Sequence, residues 1–280
     1  MPNSRPLQFQ RFTRLNRGLH ALMIVSFMAL ALTGMSLKFS YTTWAVHLSH
    51  AFGGFEGAGF IHRASATLMF CLFVTHLVDV NRKRRQEYAG SFVKMILGPD
   101  SMLFNKRDLL EFIGTIKWFV GAGPRPHYGR WTYWEKFDYF AVFWGVAVIG
   151  ATGLLLWFPT LFTRFMPGWM INVATIVHSD EALLATGFIF TVHFFNTHLR
   201  PEKYPMDTVI FTGRMPVAEF KRDKPAEYEA LVAAGKLEEN LVEAYQPVVI
   251  RTIRAFAWTA LTVGTLTVLW IVYAMVFAYR

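Results

Sequence analysis

Cysteine is almost absent: the 280 residues include only Cys71. A disulfide needs two thiols, and an iron–sulfur cluster or Cys-based zinc site needs several, so none of these forms within the chain. Charge is also scarce, at 17% of residues, and long stretches have none. No small-residue cleavage site follows the first of these stretches, which therefore reads as a retained helix and not a removed signal peptide. Nine histidines are present, yet no two are adjacent.

The chain is 54% hydrophobic, with a mean hydropathy of +0.31. Its apolar residues fall in five blocks, roughly 19–37, 59–80, 139–158, 175–199 and 255–278. Each approaches or exceeds the ~20 residues that cross a bilayer as a helix. The expected fold is an all-α integral membrane bundle, with a four-helix core and a fifth transmembrane helix. Residues 1–200 would hold the core and a cytoplasmic loop at 81–138. Residues 201–254 would form a second cytoplasmic loop, and 255–280 the fifth helix, which carries no histidine.

The net charge of +9 is unevenly placed. Arg5, Arg11, Arg14 and Arg17 precede the first block, Arg82 to Arg85 follow the second, and a further basic group follows the fourth. The alternate loops, 38–58 and 159–174, carry only Lys38 and Arg164. The positive-inside rule then puts the N-terminus in the cytoplasm and the C-terminus in the periplasm of a bacterial inner membrane. The basic residues sit where topology wants them, so nucleic-acid binding is not expected. Within 81–138, Leu109, Phe112, Ile113, Ile116 and Phe119 recur at helical spacing after Asp108, a candidate N-cap. This predicts an amphipathic helix over 108–120 lying in the membrane interface. A second helix is predicted over 225–243.

Histidine carries the chemistry. His178 and His193 are 15 residues apart in the fourth block, and His62 and His76 are 14 apart in the second. At 100° per residue the members of each pair differ by only about 60° and about 40° in direction. At ~1.5 Å rise, the 15-residue spacing is roughly 22 Å along the axis. Ionisable groups inside a bilayer are costly and default to functional readings. Two facing helices with histidines four turns apart suit two stacked haems held by paired imidazoles. Blocks three and four also repeat one and two: Thr33-Gly34, His62 and His76 correspond to Thr152-Gly153, His178 and His193. The small residues Gly34, Gly145, Gly150 and Gly153 would let helices or a flat cofactor approach closely.

At Arg14, Arg17, His20, Thr33 and Gly34, and again at Gly129, Trp131 and Lys136, the chain resembles a family. It is that of the haem b membrane subunits of formate dehydrogenases and nickel–iron hydrogenases. Thr132 and Glu135 depart from the Asn and Gln found there. The resemblance implies a membrane b-type cytochrome that moves electrons between the quinone pool and partner redox subunits. Those partners would be iron–sulfur, molybdopterin, hydrogenase or multihaem cytochrome c proteins. It also implies an outer haem on His62 and His178 and an inner one on His20 and His193. The bc-type arrangement would pair His76 with His193 instead. His198 adds a sixth span histidine, enough for a third haem; on an α-helix it points about 140° from His193.

Arg63 is a candidate partner for a haem propionate. Asp79 and Asn196 are candidates for quinone contacts at the cytoplasmic end, with Asp180 and Glu181 as rivals at the outer face. His47, His50 and His127 lie outside the spans and read as surface residues. A different class, the membrane di-iron desaturases, has histidine boxes like His193-x4-His198, but it needs further boxes and an adjacent His-His pair. A proton-coupled transporter would need Pro-broken helices in matched halves, which the spans lack.

Overall fold

In a computed structural model, described over residues 6–204 and 206–278, the apolar blocks become long helices. Arg5 and Arg280, counted above, lie outside the described residues. The helices are α1 (Arg14–Lys38), α2 (Thr43–Ala51), α3 (Gly54–Glu87), α4 (Phe92–Leu97), α5 (Lys106–Phe119) and α6 (Tyr133–Trp157). There follow α7 (Pro159–Phe162), α8 (Trp169–Phe188), α9 (Val209–Thr212), α10 (Val217–Asp223), α11 (Pro225–Ala233) and α12 (Pro247–Tyr273). Helix α8 runs on as π-helical turns over Ile189–His193 and Phe195–Leu199, and α12 does the same over Ala274–Ala278. Three short strands complete the chain: β1 (Leu7–Gln10), β2 (Arg214–Pro216) and β3 (Leu241–Glu243).

Five helical stretches, Arg14–Lys38, Gly54–Glu87, Tyr133–Trp157, Trp169–Leu199 and Pro247–Ala278, are long and apolar enough to cross a bilayer. This fits a multi-pass membrane protein. The polypeptide divides into two compact units that interleave along the sequence. One gathers residues 1–18, 77–140 and 208–253, and the other holds 19–76, 141–207 and 254–280. Each is therefore built from separated stretches of the chain.

In the apolar unit the loop after α1 is not irregular. Helix α2 stops at Phe52, and Gly53 and Gly54 take φ of +85° and +83° to turn the chain into α3. A Cβ at Gly57 would lie 2.0 Å from the Phe52 carbonyl oxygen, so this turn admits no larger residue. Met35, Phe39, Ala45, Ile271 and Ala274 form a buried cluster that joins α1 and α2 to the last span. The fifth span also receives Phe190: a Cβ on Gly264 would lie 2.6 Å from its ring. This helix thus packs on α1, α2 and the end of α8.

The other unit adds to the helical fold a small antiparallel sheet in the order β2-β1-β3. The N-terminal segment supplies the central strand, with Phe9 opposite Met215 on one side and Leu241 on the other. Phe9 points inward and stacks on Phe220 with ring centroids 3.9 Å apart. Val209 and Met215 complete the small core. The helix predicted over 225–243 ends at Ala233. Gly235 takes φ +67°, Lys236 N–H bonds the Leu231 carbonyl at 2.9 Å, and the chain then turns into β3. Asp108 is not the N-cap of α5. Asn105 is, and Asp108 closes a capping box from the third helical position.

Candidate functional site

In the apolar unit, His62 from α3 and His178 from α8 face each other. Their ring centroids are 6.2 Å apart and the planes are inclined by 70°. Both side chains are half-buried. Each ring is held by the preceding helix of its repeat. The Thr33 hydroxyl donates to the Ala29 carbonyl at 2.6 Å, so its oxygen accepts from His62 Nδ1 at 3.0 Å. The Leu30 carbonyl is a second acceptor for the same ring. In the other half, Thr152 donates to the Val148 carbonyl at 2.7 Å. His178 Nδ1 reaches the Ile149 carbonyl at 3.0 Å and the Thr152 oxygen at 3.3 Å. Leu30 precedes Thr33 by the same three residues that separate Ile149 from Thr152, so the repeat seen in sequence is also a repeat of contacts.

These bonds fix a tautomer. Each Nδ1 then carries the proton, His62 donating to the Thr33 hydroxyl oxygen and His178 to the Ile149 carbonyl, which leaves each Nε2 lone pair for a ligand. Metal-bound histidines almost always show this pattern, with the far nitrogen donating to a carbonyl or carboxylate. Two imidazoles sharing one metal ion through Nε2 place their centroids about 6.3 Å apart, from bonds of ~2.0 Å and ring radii just over 1 Å. The observed centroid separation, 6.2 Å, is close to that value. The flanking glycines make the approach possible. A Cβ on Gly34 would lie 3.3 Å from His62 Cε1, and one on Gly153 3.1 Å from His178 Cε1. The Thr-Gly pairs thus do two jobs: the Thr orients the imidazole and the Gly gives it room. The two Thr-Gly pairs are visible in the sequence, but the role of Thr is not, since Thr33 and Thr152 precede their histidines by different spacings, 29 and 26 residues.

Towards the other end of these helices, His20 lies within electrostatic reach of both His193 and His198. This follows from the π-helical turns. Their i→i+5 bonds include Phe194 N–H to the Ile189 carbonyl and Arg200 N–H to the Phe195 carbonyl. Such a ladder closes a turn in roughly four and a half residues, so positions five apart nearly eclipse. His193 and His198 therefore share a side of the helix, where α-helical spacing had separated them by about 140°. His76 rests edge-on against Phe143, centroids 6.1 Å apart.

The other sequence candidates have ordinary partners. Asp79 is buried and paired with Lys83 at 2.8 Å and Arg82 at 3.6 Å. Asp180 pairs with Lys38 at 2.8 Å, and Glu181 accepts from Trp144 Nε1 at 3.3 Å. Arg63 is exposed, its guanidinium folded back beside Gly59. Asn196 is half-buried on the π-helical stretch. His47, His50 and His127 are exposed. Among the described residues, no group of three or more His, Cys, Asp or Glu side chains is placed to hold a metal ion.

The residues Thr132, Glu135 and Lys136 have structural duties. Glu135 caps α6 by accepting from Thr132 N–H and Oγ1, both at 2.8 Å. It also pairs with Arg11 at 3.3 Å and with Lys224. Lys136 is buried with Asp108 at 2.9 Å. No protein-family model matches the chain, and no curated protein matches it either.

Proposed function

We propose that the protein is a membrane b-type cytochrome that passes electrons across the bilayer between a quinone pool and partner redox subunits. The observation that carries this reading is the His62–His178 pair, two imidazoles with ring centroids 6.2 Å apart, each held through Nδ1 by the preceding span of its repeat. His62 and His178 would hold one haem iron from its two sides. His193 with His20 would hold a second, with His76 the alternative partner for His193 and His198 the candidate for a third. When bound, haem supplies one-electron chemistry at a potential set by its ligands and surroundings. The chain's own task is to fix the imidazoles, keep their tautomers and limit water around them.

A membrane di-iron enzyme is the rival reading. It would gather several histidines and carboxylates round each metal, whereas the chain pairs imidazoles singly across helices. The basic segments sit before the first span, after the second and after the fourth, which favours a cytoplasmic N-terminus and a periplasmic C-terminus in a bacterial inner membrane. The quinone would be reduced or oxidised near His20, His193, Asn196 and His198, where hydrogen-bonding groups accumulate. Asp79 is a weaker candidate because two cations already hold it. The substrate-specific chemistry would belong to iron–sulfur, molybdopterin, hydrogenase or multihaem partners.

The test is spectral and stoichiometric. Purified protein should give the reduced-minus-oxidised bands of low-spin haem b, and pyridine haemochrome should give at least two haems per chain. His62→Ala and His178→Ala should each remove the same haem and leave the rest. Protein that carries non-haem iron and lacks those bands would overturn the reading.

A further inference from the structure

The segment between the second and third spans has burial that is inverted for a surface bathed in water. In α5 the side chains packed against the protein are Asp108, Glu111 and Thr115. Lys136 holds Asp108 there, Arg107 Nε meets one Glu111 oxygen at 2.8 Å, and the Thr115 hydroxyl meets that of Tyr128 at 2.7 Å. The opposite face, with Leu109, Phe112, Ile113, Ile116 and Phe119, is turned outward, and Phe119 is 75% exposed. Helix α4 buries no residue. Its Phe92, Val93, Ile96 and Leu97 are all exposed, Leu97 at 79%.

We propose that α4 and the apolar face of α5 form an in-plane membrane contact, seated at the headgroup–acyl boundary of an anionic leaflet. This extends the interfacial helix expected over 108–120 to a second element, and it is independent of the haem reading. Three observations choose lipid as the occupant. The first is tethering. Only four residues separate Phe92 from Glu87, the end of a spanning helix, and five such steps reach at most about 18 Å. Arg84 closes that link, donating to the Gly90 carbonyl and lying 4.3 Å over the Phe92 ring. The second is charge. Lys94, Lys106 and Lys117 are exposed on the same helices, which suits acidic headgroups beside apolar side chains. The third is the inward polar face. Asp108, Glu111 and Thr115 are spent on the protein side of the helix, so the apolar side chains are the ones left facing out.

Full-length protein carrying Cys71→Ala and one new cysteine at a time, spin-labelled in nanodiscs, tests this directly. Labels at Ile113→Cys and Leu97→Cys should collide several-fold more often with oxygen than with a water-soluble nickel chelate. The Ile113 and Leu97 labels should also lie deeper in phosphatidylglycerol than in phosphatidylcholine discs. Apolar-face labels reached freely by nickel would overturn the proposal. So would labels shielded from both reagents, which signals protein cover, and so would depth independent of lipid charge.

Discussion

At the scale of the residue, the site is a matter of which nitrogen holds a proton. Thr33 and Thr152 donate to their own helices and so present only acceptors to His62 and His178. Replacing either by Val keeps the shape and removes the acceptor. If His62 and His178 hold a haem as proposed, Thr33→Val and Thr152→Val should each weaken its retention by about tenfold, the low end for such supporting groups. Thr191→Val, at an exposed position, should leave it unchanged. Haem content after detergent dilution reads this. The glycines allow a sharper comparison. Gly153→Ala and Gly187→Ala both gain about 1 kcal/mol of helix propensity. Only the first puts a Cβ 3.1 Å from an imidazole carbon; the second meets nothing within 4 Å. Gly153→Ala should shift the optical bands and lower retention, while Gly187→Ala should do neither. Equal behaviour would mean that the fit of ring to glycine is immaterial. The histidines and the Thr-Gly pairs were legible from spacing. The carbonyls of Leu30 and Ile149 were not, because every residue has one and only the fold aims it.

At the scale of the element, two helices depart from simple spans. The π-helical turns at 189–199 bring His193 and His198 to one side and draw His20 into their reach. No periodicity argument finds such turns, since the apolar residues there satisfy either winding. The fifth span, by contrast, was legible as a packing element, and its contact is specific. Phe190 occupies the notch at Gly264, where a Cβ would come within 2.6 Å. Gly264→Ala should therefore destabilise the protein by about 1–3 kcal/mol through overpacking, despite its better helix propensity. Adding Phe190→Leu should recover most of the loss. Thermal unfolding in detergent, followed through the two variants and their combination, measures it. A Gly264→Ala protein as stable as the parent would show that α12 slides freely here.

At the scale of the whole molecule, the polar unit is assembled from three distant stretches, and buried charge joins them. Arg11, from the N-terminal stretch, meets Glu135 and Glu227 at 3.3 and 3.2 Å and is almost fully buried. Arg11→Met should cost about 1–3 kcal/mol, because the Arg130 carbonyl loses its donor while Glu135 keeps Lys224 and Glu227 keeps Arg130. Lys224 in the same network is held low, to about 8, by burial, with Glu135 opposing the shift. Its folded pKa is below its unfolded one, so between pH 8 and the ordinary value of 10.5 the unfolded chain binds the extra proton. Stability of this unit should rise with pH through that window, and the cost of the buried ammonium is in force below it. Urea midpoints for proteolysis within 208–253, read across that range, should climb in the parent relative to Lys224→Met. A parallel course of the two would remove the effect.

The sequence alone determined that five helices could cross a membrane, because hydropathy over ~20 residues is a local property. It also determined which histidines were worth pairing, since helical spacing converts number into direction. What the tertiary structure decided was every relation across the chain. It made β1 from an N-terminal stretch that read only as basic, because a strand of four residues needs partners 200 residues away. It turned the polar face of α5 inward, where Lys136 and Tyr128 wait for it. It set His62 opposite His178 at 6.2 Å. Contacts of this kind depend on which surfaces meet once helices pack, and a linear pattern carries only the face each helix has to offer.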